Sequence, residues 1–269
     1  MIVIGEKING FIPRTKKAIE ERDEAYIRKI AADQQAAHAD YLDICAGTDE
    51  DVEKETMEWL VGLVQEASSL PLCLDSSDPA LLVELMGLCE KPGMVNSVSL
   101  EEGKIETVFP AVAETGWKVI ALTCDNDGIP DDAPTKLAIA DKIVAAADEY
   151  GIEHGRLFID PLVTTVATKP DSLVNFVEGV RAIREKHPDV HFTSGLSNIS
   201  YGMPCRKAIN MQFLCLAMNA GMDSAIMDPT SADMQAALHA TAVLLGQDSY
   251  CLEYISAYRE GLLPVKPQE

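Results

Sequence analysis

Leu72-Cys73-Leu74-Asp75-Ser76-Ser77-Asp78-Pro79 sets the reading of the whole chain. Three apolar residues in a row make a short buried strand. The strand stops on a carboxylate, and Asp78-Pro79 then opens a helix over 79–90, a cap residue followed by proline at the first helical position. The same order recurs in both directions along the chain. Before it stand Ile2-Val3-Ile4 ending in Glu6 and Tyr41-Leu42 ending in Asp43. After it come Met94-Val95 ending in Asn96, Val119-Ile120-Ala121-Leu122 leading to Thr123 and Asp125, and Leu157-Phe158-Ile159 ending in Asp160. His191-Phe192-Thr193 leads through Gly195-Leu196-Ser197 to Asn198, and Ala225-Ile226-Met227 ends in Asp228, which makes eight strands.

Helices fill the intervals. Their spacing predicts 24–38, 51–67, 79–90, 102–115, 134–150, 171–187, 204–220 and 231–245. Asp23, Asp171 and Ser231 are expected as N-caps, and Gly151, Gly221 and Gly246 follow helix ends where a left-handed residue is wanted. Strands that alternate with helices must pair in parallel through helical crossovers. An open doubly wound sheet is the rival fold, but Gly5-Glu6-Lys7-Ile8-Asn9-Gly10 lacks its glycine fingerprint. Eight units favour a single (β/α)8 TIM barrel over residues 1–263, with 264–269 as a frayed tail.

Composition narrows the function. The 269 residues include 43 acids against 22 bases, a net charge of -21, and this disfavours nucleic acid as a partner. No apolar run approaches the roughly 20 residues of a membrane span, and Met1-Ile2-Val3-Ile4-Gly5 reads as a first strand rather than a signal peptide. The seven cysteines are odd in number and without Cys-x-x-Cys spacing, so neither a disulfide framework nor a zinc site is expected, and the compartment reads as cytoplasmic.

In a barrel the carboxyl ends of the strands face the active site. Asp43, Asp75, Asn96, Asp160 and Asn198 therefore converge. Taken singly, each is equally consistent with a helix cap or a turn. Asp75, Asp160 and Asp228 argue further, because each follows three apolar residues and a buried carboxylate needs a specific partner. None of the five histidines has metal-ligand spacing, so no metal is expected. Lys7 is the single strand-end lysine that a Schiff base could use, no Gly-x-Ser-x-Gly elbow occurs, and the last two loops lack a glycine-rich phosphate cradle. A ring of acids and amides suits a neutral, flat heterocycle with amino and ring N–H groups.

Gly5-Glu6-Lys7-Ile8-Asn9, Leu72-Cys73-Leu74-Asp75-Ser76, Val95-Asn96-Ser97, Ile159-Asp160-Pro161-Leu162 and Gly195-Leu196-Ser197-Asn198-Ile199-Ser200 resemble the methyltetrahydrofolate:corrinoid methyltransferases. These share the pterin-binding barrel with dihydropteroate synthase and the folate domain of methionine synthase. The resemblance runs over essentially the whole chain. It implies that a methyl group moves between the five-position nitrogen of tetrahydrofolate and the cobalt of a corrinoid. It also implies that Asp75, Asn96 and Asp160 hold the pterin, with Ser197, Arg206 and Asp43 also contacting substrate, and that Asn198 meets the methyl-bearing nitrogen as the catalytic residue. Relatives often carry Asn where this chain has Cys45. No Asp-x-His-x-x-Gly cobalamin motif occurs, so the corrinoid is expected on a transient partner protein, and the resemblance implies a homodimer. A dihydropteroate synthase would need a Ser-x-Arg-x-His segment near the end, where Tyr254-Ile255-Ser256-Ala257-Tyr258-Arg259 has no His. A non-catalytic folate-binding subunit would keep Asp75 and Asp160 without needing Asn198.

Overall fold

The structure, a computed structural model, describes residues 1–264, so the tail expected over 264–269 lies outside the described residues apart from Pro264. The strands are β1 (Ile2–Asn9), β2 (Tyr41–Cys45), β3 (Leu72–Asp75), β4 (Met94–Leu100), β5 (Lys118–Asp125), β6 (Leu157–Asp160), β7 (His191–Phe192) and β8 (Ser224–Met227). The helices are α1 (Pro13–Glu20), α2 (Glu24–Ala36), α3 (Glu50–Ala67), α4 (Pro79–Met86), α5 (Lys104–Ala113), α6 (Ala133–Tyr150), α7 (Ser172–Lys186), α8 (Arg206–Ala220), α9 (Ala232–Leu244) and α10 (Leu252–Arg259). All strand pairs are parallel, in the order β7-β6-β5-β4-β3-β2-β1-β8. The ring closes between β7 and β8 through the single bridge Gly195–Ile226, with Ile226 N–H donating to Ser194 O at 3.0 Å. The fold is the expected barrel.

Local chemistry explains the helix starts. Asp23, Asp78 and Asp132 accept from the backbone N–H of Tyr26 (3.1 Å), Ala80 (2.8 Å) and Thr135 (2.8 Å). Asp171 and Ser231 occupy N-cap positions but make no capping bond there. Gly151 and Gly221 end α6 and α8 in the left-handed conformation. Two helices escape the periodicity: α1 begins on Pro13 without a capping side chain, and α10 buries only Ala257. The helix expected over 79–90 stops at Met86, because the Gly87 N–H turns onto Glu84 O and the chain leaves the core with Leu88 exposed.

Two apolar layers fix the geometry. One lies between the outer faces of the strands and the helices. The other fills the barrel itself, where Ile4, Cys73, Met94, Ile120 and Phe158 pack with Ile2, Tyr41, Leu122 and Ile226. Below this plug Lys118 Nζ donates to Tyr41 Oη at 2.9 Å and lies over the Tyr41 and Phe158 rings. The amino end of the barrel is thereby sealed, and the carboxyl end is left for function.

Register revises some strand ends. Asp43 and Asn96 stand inside β2 and β4 rather than at their ends, and β7 holds two residues rather than three. Asp43 lies opposite Cys73, one layer below the Cys45–Asp75–Asn96 row.

Candidate active site

Cys45, Asp75 and Asn96 are successive register partners on β2, β3 and β4, so their side chains form one row along the barrel mouth. Beneath them Asp43, only 1% exposed, accepts from Asn96 Nδ2 at 3.3 Å. On the far wall, Asp160 ends β6 level with Leu122 of β5. Its Oδ1 accepts the Leu162 N–H at 2.8 Å. Following β7, residues Leu196–Ser200 make a tight 3-10 turn. The turn leaves Asn198 exposed, with its amide nitrogen lying against Gly195, where an added Cβ would come to 3.0 Å. Ser200 Oγ accepts from Arg206 Nε at 3.1 Å, and Ser197 O accepts from Arg206 Nη2 at 2.6 Å, so Arg206 braces this turn from the start of α8.

The structure adds residues that the spacing did not single out as a site. The β1–β2 register shifts between Gly5 and Ile8. A bulge of this kind re-aims side chains. Ile4 points into the barrel and Ile8 into the outer layer, and between them Glu6 and Lys7 both reach the mouth. Ser197 Oγ donates to both oxygens of Glu6 (3.1 and 3.2 Å), and Lys7 Nζ pairs with Asp228 at 3.1 Å. The bulge is filled by Gln34 of α2, whose Oε1 accepts the Lys7 N–H at 3.0 Å. Gly5 is required there, since a Cβ would sit 2.5 Å from that same oxygen. A cleft of about 450 Å³ opens beside Glu6, between Ser197 and Arg206 on one side and Asp228 and Ser231 on the other.

Burial dominates the electrostatics. It raises Glu6 from 4.5 to about 7, against the Ser197 hydroxyl and the cations Lys7 and Arg206, which pull the other way. It raises Asp160 from 3.8 to about 7, opposed by the Leu162 and Gly195 N–H groups and by Lys136. Asp75 is raised from 3.8 to about 6, with the Cys45 thiol favouring its ionised form. Asp43 is driven well above the carboxylate range by burial and by Asp75, so it stands as a neutral acid beneath the row. The Cys45 thiol is pushed far upward by burial and remains protonated. The mouth therefore holds acids whose protonation turns over near neutrality, and it accepts hydrogen bonds from several directions. Among the described residues, no group of three His, Cys, Asp or Glu is arranged to hold a metal ion. No described helix is long and apolar enough to cross a membrane.

Residues 14–228, from α1 to the acid that follows β8, match the model of the pterin-binding enzymes. The chain belongs to the pterin-binding enzyme family. Within that family it is 48% identical over 263 residues to the methylcorrinoid:tetrahydrofolate methyltransferase of Eubacterium limosum, covering 97% of each. It is 32% identical to the methionine synthase of Mycobacterium tuberculosis, matching 84% of this chain but 20% of that much longer protein. Among solved structures, dihydropteroate synthase from Xanthomonas albilineans in complex with 7,8-dihydropteroate superposes with a TM-score of 0.66, covering 91% of this chain and 92% of that one. The corresponding Yersinia pestis enzyme gives 0.64. Their identities of 20% and 18% show a shared pterin-binding barrel.

Proposed function

We infer that this pterin-binding enzyme moves a methyl group between the cobalt of a corrinoid and the five-position nitrogen of tetrahydrofolate, with the corrinoid brought by a partner protein. The near full-length likeness to a methylcorrinoid:tetrahydrofolate methyltransferase carries the reading. The barrel mouth supports it. A pterin edge offers amino and ring N–H donors, and Asp75, Asn96 and Asp160 present acceptors, or mixed donors and acceptors, from two facing walls. Asp43 serves from below by orienting the Asn96 amide, which leaves the other faces of that amide for the pterin. Cys45 replaces an amide by a weak donor aimed at Asp75.

Asn198 is assigned to the reacting nitrogen. It is exposed and unchanged by pH, and it lies on a turn braced by Arg206, so it can hydrogen-bond the nitrogen without titrating. A pre-placed amide of this kind acts on the transition state, typically by about 3 kcal/mol. The folate nitrogen loses a proton when it is methylated and gains one when it gives the methyl up. Glu6, held at about 7 and bonded to the hydroxyl of the neighbouring Ser197, is a titratable group on that side of the mouth. The corrinoid supplies or receives the methyl group at its cobalt. Phe11 and Ile129 stand exposed on the loops after β1 and β5, and Tyr201 ends the Asn198 turn, so these three form the rim that its carrier would meet.

A homodimer is part of the proposal. Leu244, Tyr250, Leu252, Ile255 and Tyr258 are exposed at the end of α9, in the turn that follows it and on α10, an apolar surface of the kind that pairs. A cytoplasmic setting fits seven free cysteines. The test is a spectroscopic assay of cobalt alkylation with EDTA-treated enzyme, methylated corrinoid protein and tetrahydrofolate. Demethylation of the corrinoid that depends on both enzyme and tetrahydrofolate supports the reading. Absence of transfer in both directions overturns it.

A further inference from the structure

Lys136 stands out among the charged residues. It lies on α6, behind the strands, and is only 2% exposed. Lysine is almost never this buried without an ion-pair partner, yet no carboxylate of the described residues lies within 4.0 Å of its nitrogen. Its Nζ donates instead to the carbonyl oxygen of Leu162 at 3.2 Å. Leu162 has a φ of 57°, a left-handed backbone that a leucine rarely adopts. Its N–H is the group that occupies Oδ1 of Asp160. The two polar groups of one strained residue are thus tied to two ionisable side chains: the carbonyl to Lys136 from behind the barrel, the amide to Asp160 in the mouth. The neighbouring helix accommodates the lysine. Gly179 of α7 lies against its stem, and a Cβ there would come within 3.2 Å of Lys136 Cδ and 3.4 Å of Pro161 Cβ.

We propose that Lys136 is a positioning residue for Asp160, fixing the conformation of Leu162, whose N–H orients this carboxylate, and supplying positive charge to it from outside the pocket. It touches no substrate. By anchoring the Leu162 carbonyl, in the peptide that follows, it holds the left-handed conformation of this residue and so aims the Leu162 N–H, in the peptide that precedes, at Oδ1 of Asp160. Charge and geometry act in the same sense. Burial pushes Lys136 below the usual lysine range, and Lys169 acts in the same direction; Asp160, Asp131 and Asp132 face it and favour its charged form, and Lys169 is itself paired with Asp131. The lysine's charge in turn favours the ionised Asp160. This inference rests on the folate reading for its ligand.

The test compares tetrahydrofolate binding across pH, by calorimetry, for the native protein and for Lys136→Met, Lys136→Arg and Gly179→Ala. Lys136→Met removes the charge and the donor. It is expected to weaken binding about tenfold near neutral pH and to move the pH midpoint of binding upward by about one unit, one unit being a tenfold change in a proton equilibrium. Lys136→Arg is expected to recover most of both. Gly179→Ala keeps the charge but presses on the lysine stem, and is expected to weaken binding with the midpoint unmoved. This variant also decides the case if Lys136→Met does not fold. Lys136→Met binding within twofold of native, or Gly179→Ala binding as native where Lys136→Met is unfolded, overturns the proposal. A native protein that fails to bind tetrahydrofolate overturns the folate reading instead.

Discussion

Replacing Asp160 by asparagine is expected to stabilise the protein while disabling it. In the folded chain this carboxyl is buried and is raised from 3.8 to about 7. A group whose folded value lies above its unfolded one binds its proton more tightly in the fold, so stability falls as pH climbs between the two values. Below about pH 4 both states are protonated and nothing is lost. Above about pH 7 both are ionised, and the full difference counts against the fold. Each pH unit is worth about 1.36 kcal/mol, so the interval from 3.8 to about 7 sets an upper bound of about 4 kcal/mol. Asparagine keeps a carbonyl oxygen for the Leu162 N–H and has no proton to lose. The assay is chemical denaturation of both proteins from pH 3 to 8. The stability advantage of the variant should be small and constant below pH 4, widen through the interval, and level off above pH 7. Calorimetry at pH 8 should show tetrahydrofolate binding weakened tenfold or more, since a buried charged acceptor typically contributes about 2 kcal/mol. A stability difference that does not change with pH would refute the argument that burial sets the state of this acid.

Asn198→Ala is expected to depress turnover by about a hundredfold with folate still bound; turnover within about threefold of native rejects its transition-state role. Tetrahydrofolate affinity should rise with pH across the interval in which Asp75 and Asp160, at about 6 and about 7, ionise and become full acceptors. Affinity that is flat there would place the donor edge elsewhere. Cys45→Ala removes the thiol that favours ionised Asp75, so the lower of these two transitions should move upward; an unmoved pH profile would mean that the thiol does not reach the carboxylate. Sedimentation should find a dimer at micromolar concentration, and Tyr250→Glu or Leu252→Glu should dissociate it; a monomeric native protein rejects the paired surface.

Part of this site was legible in the sequence because a strand that ends on an acid shows its layer as well as its identity. Cys73 and Phe158 fill the barrel below while their neighbours Leu72, Leu74, Leu157 and Ile159 face the outer layer, and Asp75 and Asp160, two residues on, must then lie in the mouth. Asp43 breaks that rule. It is followed by Ile44 and Cys45 in the same strand, so the residue that reaches the mouth is Cys45 and the acid lies one layer down. Glu6 was visible as a strand-end acid, but the partner that makes it part of the site is Ser197, which only barrel closure brings within reach. Its direction also depends on the bulge over Gly5–Ile8, and simple alternation cannot show a change of phase. Lys136 reads in sequence as an ordinary helix lysine; its burial comes from the packing of α6 against α7 and the turn at Leu162. The short seventh strand misled for the opposite reason. His191-Phe192-Thr193 has strand chemistry, but the ladder ends where the chain must bend to close the ring.

That closure gives the two sides of the mouth different stiffness. Asp75 and Asn96 sit on strands laddered at both edges, with the β4–β5 register shifting only beyond Asn96, and opening either one means breaking central sheet. Asn198 hangs from a two-residue strand whose outer edge meets β8 only through the Gly195–Ile226 bridge and, at its base, the bonds of His191 and Phe192 to Asp223, among the described residues. Segments with few ladder bonds open with low free energy and exchange their amide hydrogens sooner than the rest of a fold. On the proposed assignment, the recognition edge of the ligand would be gripped by the rigid part of the ring and the reacting atom met by the compliant part. A methyl group in flight changes its distance to the folate nitrogen, and Asn198, proposed to follow that nitrogen, is carried on the segment of wall that yields with least cost to the grip.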